Sequence, residues 1–162
     1  MQKIVVMGVS GSGKSTLGAA LADALGAAFI DADDLHPAEN VAHMAAGQPL
    51  TDAMRWPWLD TCAAAMAEGG DVVLACSALR KAYRDRLRDG VAGLTLVYID
   101  AKPALTAQRM AGRADHFMPP SLLDSQFATL EPPTAEEAPI LCDPALPVAE
   151  QVADITAKLR DV

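Results

Sequence analysis

The feature that most constrains this chain is a glycine-rich octapeptide near its start. Residues 8–15, GVSGSGKS, fit the pattern G-x-x-x-x-G-K-[ST]. The apolar run 4–7 precedes it and predicts a buried strand, and leucines four residues apart in 14–25 predict a helix after it. A glycine loop between a strand and a helix N-terminus directs backbone N–H groups at phosphate oxygens. The octapeptide therefore predicts a site for a nucleoside triphosphate.

The rest of the chain alternates between strand and helix patterns. Further strands are predicted at 28–30, 71–76, 94–99 and, more weakly, 139–142; further helices are predicted at 37–46, 57–68, 79–89, 103–111, 121–130 and 148–160. Segments 48–56 and 112–120 are predicted to be irregular. This alternation predicts an α/β fold with a parallel sheet covered by helices on both faces. A length of 162 residues suits one domain, 1–162.

Composition excludes several classes of function. The 13 Lys+Arg against 21 Asp+Glu give a net charge of −8, which argues against a nucleic-acid partner. The three cysteines have no CxxC spacing, which favours buried thiols in a reducing cytoplasm over disulfides or a zinc site. No apolar stretch approaches the ~18 residues of a membrane span, and the N-terminal apolar run is too short for a signal peptide.

The octapeptide supplies the candidate nucleotide-binding residues. They are Gly8, Val9, Ser10, Gly11, Ser12, Gly13, Lys14, Ser15 and, one residue further on, Thr16. The Lys14 ammonium is expected to reach the β- and γ-phosphates, and the Ser15 hydroxyl is expected to bind Mg²⁺. An N/T-K-x-D guanine signature is absent from the sequence, which argues against a GTPase and favours a small ATP-dependent phosphotransferase.

Three carboxylates follow the second predicted strand, where a parallel sheet binds its ligands. If this stretch is extended, Asp31 and Asp33 share one face. We expect Asp31 to orient metal-bound water and Asp33 to accept the proton of the acceptor hydroxyl. The alternative is an Asx-turn or helix N-cap role, which suits Asp34 better than Asp33. His36 could contact substrate or belong to a turn before Pro37.

Distinctive motifs continue after the octapeptide, in unbroken order, as far as residue 132. They are DADDLHP at 31–37, GQPLTD at 47–52, RWPWL at 55–59, CSALRKAYRD at 76–85, HFM at 116–118 and QFATLEP at 126–132. Together with the octapeptide, these motifs resemble thermoresistant-type gluconokinases. Two departures are Met54, where the family often has a second acid, and Ala114-Asp115, where it often has Lys-Gly.

The resemblance implies ATP-dependent phosphorylation of D-gluconate on its 6-hydroxyl, with Mg²⁺, in a homodimer. It also implies a three-layer P-loop NTPase fold of five parallel strands, similar to nucleoside-monophosphate kinases. In such a fold, residues 112–120 would form a lid and residues 37–68 would supply the substrate-binding helices.

Cations are needed to bind a sugar acid and to stabilise the transferring phosphoryl group. The substrate candidates are Asp33, His36, Arg55, Arg80, Lys81, Arg84 and His116. For the arginines and lysine of 80–88, the alternative is the solvated face of an amphipathic helix. Arg109 and Arg113 are assigned to the lid and to catalysis, as the resemblance implies, with an exposed helix face as the alternative.

Two other functions stay open at this point. One is a kinase of another small acceptor, such as shikimate or a nucleoside monophosphate. The other is a module that binds ATP and a protein partner without catalysis; the intact set of Lys14, Ser15, Asp31 and Asp33 argues against it.

Overall fold

Five parallel strands form the centre of the protein. The computed structural model describes residues 1–9, 11–103 and 121–161. The strands are β1 (Lys3–Met7), β2 (Ala28–Asp31), β3 (Val72–Ala75), β4 (Leu94–Ile99) and β5 (Ile140–Cys142). They pair in the order β2-β3-β1-β4-β5, and every pairing is parallel. The predicted five-stranded parallel sheet is confirmed.

Six helices are described around this sheet. They are α1 (Lys14–Leu25), α2 (Ala38–Ala45), α3 (Asp52–Ala67), α4 (Lys81–Gly90), α5 (Ser121–Thr129) and α6 (Val148–Arg160), with short 3-10 helices at Ala32–Leu35 and Ala135–Glu137. The predictions for α1 and α6 match residue for residue. The predicted lid, 112–120, and all but the first residue of the predicted helix 103–111 lie outside the described residues.

The side chains of β1 alternate between two apolar layers. Val5 and Met7 pack into a cluster with residues of α3 and α4, whereas Ile4 and Val6 pack into a cluster with residues of α1 and α6. All four are fully buried. This is why the run is continuously apolar, because a central parallel strand is covered on both faces. The three-layer arrangement predicted from the sequence is therefore present.

Two local predictions are corrected. Helix α3 was expected to open at Pro57, but it begins at Asp52, and Pro57 lies inside it. The true start signal is Thr51, whose side chain accepts a hydrogen bond from the N–H of Met54 at 3.3 Å. The stretch after β2 was expected to be extended, but it is the 3-10 helix 32–35, so Asp31 and Asp33 do not share a face by strand alternation.

The three cysteines lie in the interior of the protein. Cys62, Cys76 and Cys142 are buried free thiols, as predicted. Within the described ranges, no helix combines the length and the apolar character that crossing a bilayer requires.

Candidate active site

The glycine-rich loop joins the end of β1 to the start of α1 in a conformation that needs its glycines. Gly11 and Gly13 have φ angles of 78° and 94°, which L-residues rarely adopt. A Cβ at Gly8 would come within 2.6 Å of the Ser12 hydroxyl oxygen. The loop is thus held closely around the N-terminus of α1, where N–H groups without helical partners are available to an anion.

The side chains of Lys14 and Val9 lie in different surroundings. The Lys14 side chain is 7% exposed and lines a cleft at the carboxyl edge of the sheet. Val9 is buried and packs with Leu79 and Leu123, so only its backbone can face a phosphate. The predicted nucleotide ligand Ser10 lies outside the described residues.

Ser15 and Asp31 form the first polar contact between the loop and the second strand. The Ser15 hydroxyl donates to Oδ2 of Asp31 at 2.8 Å, and Oδ1 of Asp31 accepts the N–H of Asp33 at 3.0 Å. Asp31 therefore makes the Asx-type cap that the sequence assigned preferentially to Asp34. A hydroxyl and a carboxylate this close present the hard oxygen donors that Mg²⁺ prefers.

The two oxygen donors of Ser15 and Asp31 suit a metal ion that takes its other ligands from water and from the substrate. Among the described residues, no group of three or more His, Cys, Asp or Glu could hold a metal ion. Mg²⁺ commonly uses one or two protein oxygens and completes its shell with water and substrate phosphates. The Ser15–Asp31 pair fits that pattern.

A cleft beside Lys14 brings together residues of several elements. It is lined by Asp33 of the first 3-10 helix, by His36, by Arg55 and Trp58 of α3, by Tyr83 of α4, and by residues of α5. The segment 37–68, predicted to hold the substrate helices, therefore supplies one wall. Asp33 and Lys14, the predicted base and the predicted phosphate ligand, face the same space.

Two contacts fix the ring of His36. Its ring stacks on Trp58 with centroids 4.1 Å apart and planes 17° apart, and its Nδ1 lies 3.2 Å from Nδ2 of Asn40. Burial lowers the pKa of His36 to about 4; Asp33 and Asp31 oppose this shift and Arg55 adds to it. The imidazole is therefore neutral at physiological pH.

Arg55, which also lines the cleft, belongs to a hydrogen-bonded chain. Its Nη1 donates to the Tyr83 hydroxyl at 2.9 Å and lies 3.4 Å from Oδ1 of Asp52. The Tyr83 hydroxyl in turn donates to Asp52 at 2.6 Å. This hydrogen bond is the main reason that the pKa of Asp52 is lowered, and burial followed by the same bond raises the pKa of Tyr83. A guanidinium held in this way is oriented before any substrate arrives.

Arg84, predicted to bind substrate, lies in a buried ion pair and does not line the cleft. Its side chain is 1% exposed and donates to both carboxylate oxygens of Glu137, at 2.7 and 3.0 Å, and to the carbonyl of Ala78 at 2.9 Å. The four-residue spacing of Tyr83 and Leu87 places this flank of α4 against the protein, so the position of Arg84 does not support a substrate role. Arg84 instead fixes the chain that follows α5.

The neighbouring cations lie on the exposed part of the same turn. Lys81 pairs with Asp85 at 2.8 Å, an i, i+4 contact on the surface of α4, and does not line the cleft. Arg80 is exposed at the N-cap of α4 and acts on Asp52 only through its charge. The solvated-helix interpretation thus holds for Lys81, and a substrate role for Arg80 stays a prediction.

A second groove adjoins the glycine loop. It is lined by Ser12, Gly13, Thr16, Leu146, Pro147, Val148 and Gln151. The predicted ligand Thr16 faces this groove, next to the loop between β5 and α6. The remaining predicted site residues, Arg109, Arg113 and His116, lie outside the described residues.

Sequence reasoning missed several residues of the cleft. Tyr83 could have been found, because it is an aromatic residue on the inward face of a charged helix and its hydroxyl needs a partner. Asn40 does not line the cleft but is hydrogen-bonded to His36, which does; it is 1% exposed, and one buried asparagine leaves no periodic signal. Ser125, Gln126 and Thr129 line the cleft from α5; Gln126 and Thr129 belong to the QFATLEP motif, but the motif by itself indicated no chemical role for them.

The fold and the site together define a small phosphate-loop kinase. Comparison with known proteins agrees: the model of the AAA domain family matches residues 4–133. The gluconokinase of Gluconobacter oxydans (strain 621H) is 49% identical over 138 residues, which cover 83% of this chain and 78% of that protein. The thermoresistant gluconokinase of Escherichia coli (strain K12) is 43% identical over 141 residues, covering 85% and 81%.

A solved structure extends the similarity to nearly the whole chain. The crystal structure of a gluconokinase from Sinorhizobium meliloti 1021 superposes with a TM-score of 0.90 at 47% identity, covering 99% of this chain and 92% of that one. The chain belongs to the gluconokinase family.

Proposed function

We propose that this protein transfers the γ-phosphoryl group of ATP to the 6-hydroxyl of D-gluconate, giving 6-phospho-D-gluconate and ADP. Family membership supports the substrate. The observation that carries the chemistry is that Lys14 of the phosphate loop and the carboxylate of Asp33 line one cleft. An ammonium for phosphate and a carboxylate for the hydroxyl proton are the two groups that this transfer needs.

The reaction is an in-line displacement at phosphorus. The 6-hydroxyl oxygen forms a bond to the γ-phosphorus while the bond from that phosphorus to the β–γ bridging oxygen breaks. Asp33 accepts the hydroxyl proton, and the electron pair of the broken bond leaves with ADP. Lys14 offsets the negative charge on the transferring group.

Binding of ATP is assigned to the two sides of the glycine loop. Backbone N–H groups of the loop bind the phosphates, and the groove that includes Thr16 suits the nucleoside. Mg²⁺ would be held by Ser15 and Asp31, and when bound it neutralises phosphate charge. Arg109 and Arg113 retain their proposed role at the transferring phosphoryl group, and His116 its proposed role in the lid.

Recognition of gluconate is assigned to the opposite wall of the cleft. Arg55 is the described cation best placed for the carboxylate, since it lines the cleft and its orientation is fixed by Tyr83. His36 and Asp33 suit the hydroxyls. The family resemblance supports a homodimer, and the three buried free thiols are compatible with a cytoplasmic protein.

A coupled assay for ADP release, over a panel of sugar acids, shikimate and nucleoside monophosphates, tests this function. We expect Mg²⁺-dependent turnover of D-gluconate and its loss in Lys14→Ala. Lys158→Ala, a change in an exposed ion pair on α6, is the matched control and should retain turnover. Turnover of shikimate without gluconate would establish the other kinase assignment, and no turnover of any acceptor would favour an ATP-binding module.

A further inference from the structure

Asn40 is a buried amide that joins three elements around the cleft. Its side chain is almost completely enclosed, and its Nδ2 lies 3.2 Å from Nδ1 of His36 and 3.2 Å from the backbone carbonyl of Met54. It thereby connects α2 to the residue that follows the first 3-10 helix and to the start of α3. Removal of this amide would leave both partners without their hydrogen bond, which is costly for buried polar groups.

The carbonyl of Met54 determines which way this amide points. A carbonyl oxygen can only accept hydrogen bonds, so the Asn40 atom beside it must be the NH₂ group. That NH₂ group has two hydrogens, one for Met54 and one for His36. His36 Nδ1 must therefore accept, which means that Nδ1 carries no proton.

The ring of His36 is also prevented from rotating. It stacks on Trp58, whose indole N–H donates to the carbonyl of Ala32 at 2.7 Å, so the stacking surface is itself anchored. With Nδ1 occupied, Nε2 is the ring nitrogen left for a ligand. In the described part of the chain, no protein group is seen to bond Nε2.

We propose that Asn40 is a positioning residue that fixes His36 as a neutral Nε2–H tautomer, so that the cleft presents an uncharged hydrogen-bond donor to an acceptor oxygen of the substrate. His36 then serves neither as a general base nor as a cation. The substrate assignment in this proposal rests on the proposed kinase function, whereas the state of the ring does not.

Burial of the His36 ring outweighs the effect of the charged groups around it. Asp31 and Asp33 favour its protonation from the β2 side and Arg55 opposes it from α3, while burial against Trp58 outweighs them and lowers the pKa to about 4. A neutral donor leaves Arg55 as the positive charge on this wall. This suits a polyol that carries one carboxylate and several hydroxyl oxygens.

Nitrogen NMR of the ¹⁵N-histidine-labelled protein tests the tautomer directly. At pH 7 we expect Nδ1 of His36 at the downfield position of an unprotonated nitrogen and Nε2 at the upfield position of a protonated one, with no titration down to about pH 5. His36→Gln and His43→Gln assign the signals, since each removes one of the three histidines. A protonated Nδ1, or an imidazolium at pH 7, would overturn the proposal.

Two substitutions at His36 test the donor role. A glutamine can place its NH₂ near the position of Nε2, whereas an asparagine imitates Nδ1. We expect His36→Gln to raise the KM for gluconate about twofold and His36→Asn to raise it about tenfold, with smaller effects on kcat. Equal increases in KM in the two variants, or a larger increase in His36→Gln, would refute the donor role. Absence of gluconate turnover in the parent protein would contradict the proposed function, and the NMR result would still decide the tautomer.

Asn40→Asp tests the positioning role. A carboxylate beside Nδ1 favours a proton there, so His36 should titrate near neutral pH and kcat/KM should acquire a matching pH dependence that the parent protein lacks. Should Asn40→Asp fail to fold, Asn40→Ala serves instead, and there the two neutral tautomers should both be populated. An unchanged tautomer in the folded variant would refute the role of Asn40.

Discussion

The hydroxyl of Tyr83 lies 2.6 Å from a carboxylate oxygen of Asp52, and the same hydroxyl accepts a hydrogen bond from Arg55. These residues come from α3 and α4, the two helices that pack over one face of the sheet. Because the phenol donates to Asp52, its lone pairs are directed at the guanidinium. The orientation of Arg55 in the cleft thus depends on a residue with no charge of its own.

Tyr83→Phe should weaken gluconate binding more than catalysis. The substitution removes both hydrogen bonds of the Tyr83 hydroxyl, and loss of the one that orients Arg55, about 1 kcal/mol, corresponds to a roughly fivefold increase in the KM for gluconate. The KM for ATP and kcat should change little, since the phosphate loop is untouched. Tyr98→Phe is the control, because its hydroxyl lies near Asp100 and not in the cleft. Equal KM values for the two variants would contradict the assignment of Arg55 to substrate.

Asp33→Asn should abolish most of the turnover without preventing binding. An amide cannot accept the hydroxyl proton, so kcat should fall by about 10²- to 10⁴-fold, the usual range for a general base. Asp34→Asn is the matched control, since Asp34 is the adjacent, exposed carboxylate. Steady-state kinetics and gluconate titration by calorimetry separate the two effects. An Asp33→Asn enzyme with near-normal kcat would show that another group takes the proton.

Ser15→Ala should raise the Mg²⁺ concentration that half-saturates the reaction. The substitution removes one of two proposed oxygen ligands and also the 2.8 Å hydrogen bond to Asp31. Ser15→Thr keeps the hydroxyl and should restore the parent Mg²⁺ dependence, which distinguishes a ligand role from a packing role. A Mg²⁺ dependence that is identical in the alanine variant would argue against Ser15 as a ligand.

The parallel sheet was predictable because its signals are local and repeated. The apolar run at 4–7 predicts one strand, and the leucine spacing in 14–25 predicts one helix. The alternation of such strands and helices along the chain implies the parallel sheet. The start of α3 was missed because Pro57 resembles a first-turn proline, while the cap at Thr51 is a weaker pattern.

The site was only partly predictable, for a similar reason. Lys14, Asp33 and Arg55 belong to motifs with a chemical meaning, and all three line the cleft. Arg84 belongs to a motif too, but whether a guanidinium meets a ligand or a buried carboxylate depends on Glu137, which lies 53 residues further along the chain. Such long-range pairing is not encoded in spacing.

Glu137→Gln should destabilise the protein and change its response to acid. Burial alone would raise the pKa of Glu137, but hydrogen bonds from Arg84, Arg88 and the N–H of Thr134 outweigh it and lower the pKa from 4.5 to about 2. The carboxylate therefore stabilises the folded protein above pH 4.5, and this contribution is lost as the pH falls from about 4.5 to about 2.

The glutamine variant should lack that contribution at pH 7 and should lose less stability between pH 4.5 and 2 than the parent protein. Glu136→Gln is the matched control, since Glu136 is the exposed neighbour and should change stability little. Urea unfolding at a series of pH values measures both variants. A buried guanidinium left without its carboxylate is strongly unfavourable, so the variant should be less stable than the parent protein at pH 7. If the two proteins had the same stability at every pH, the ion pair between Glu137 and Arg84 would not stabilise the fold.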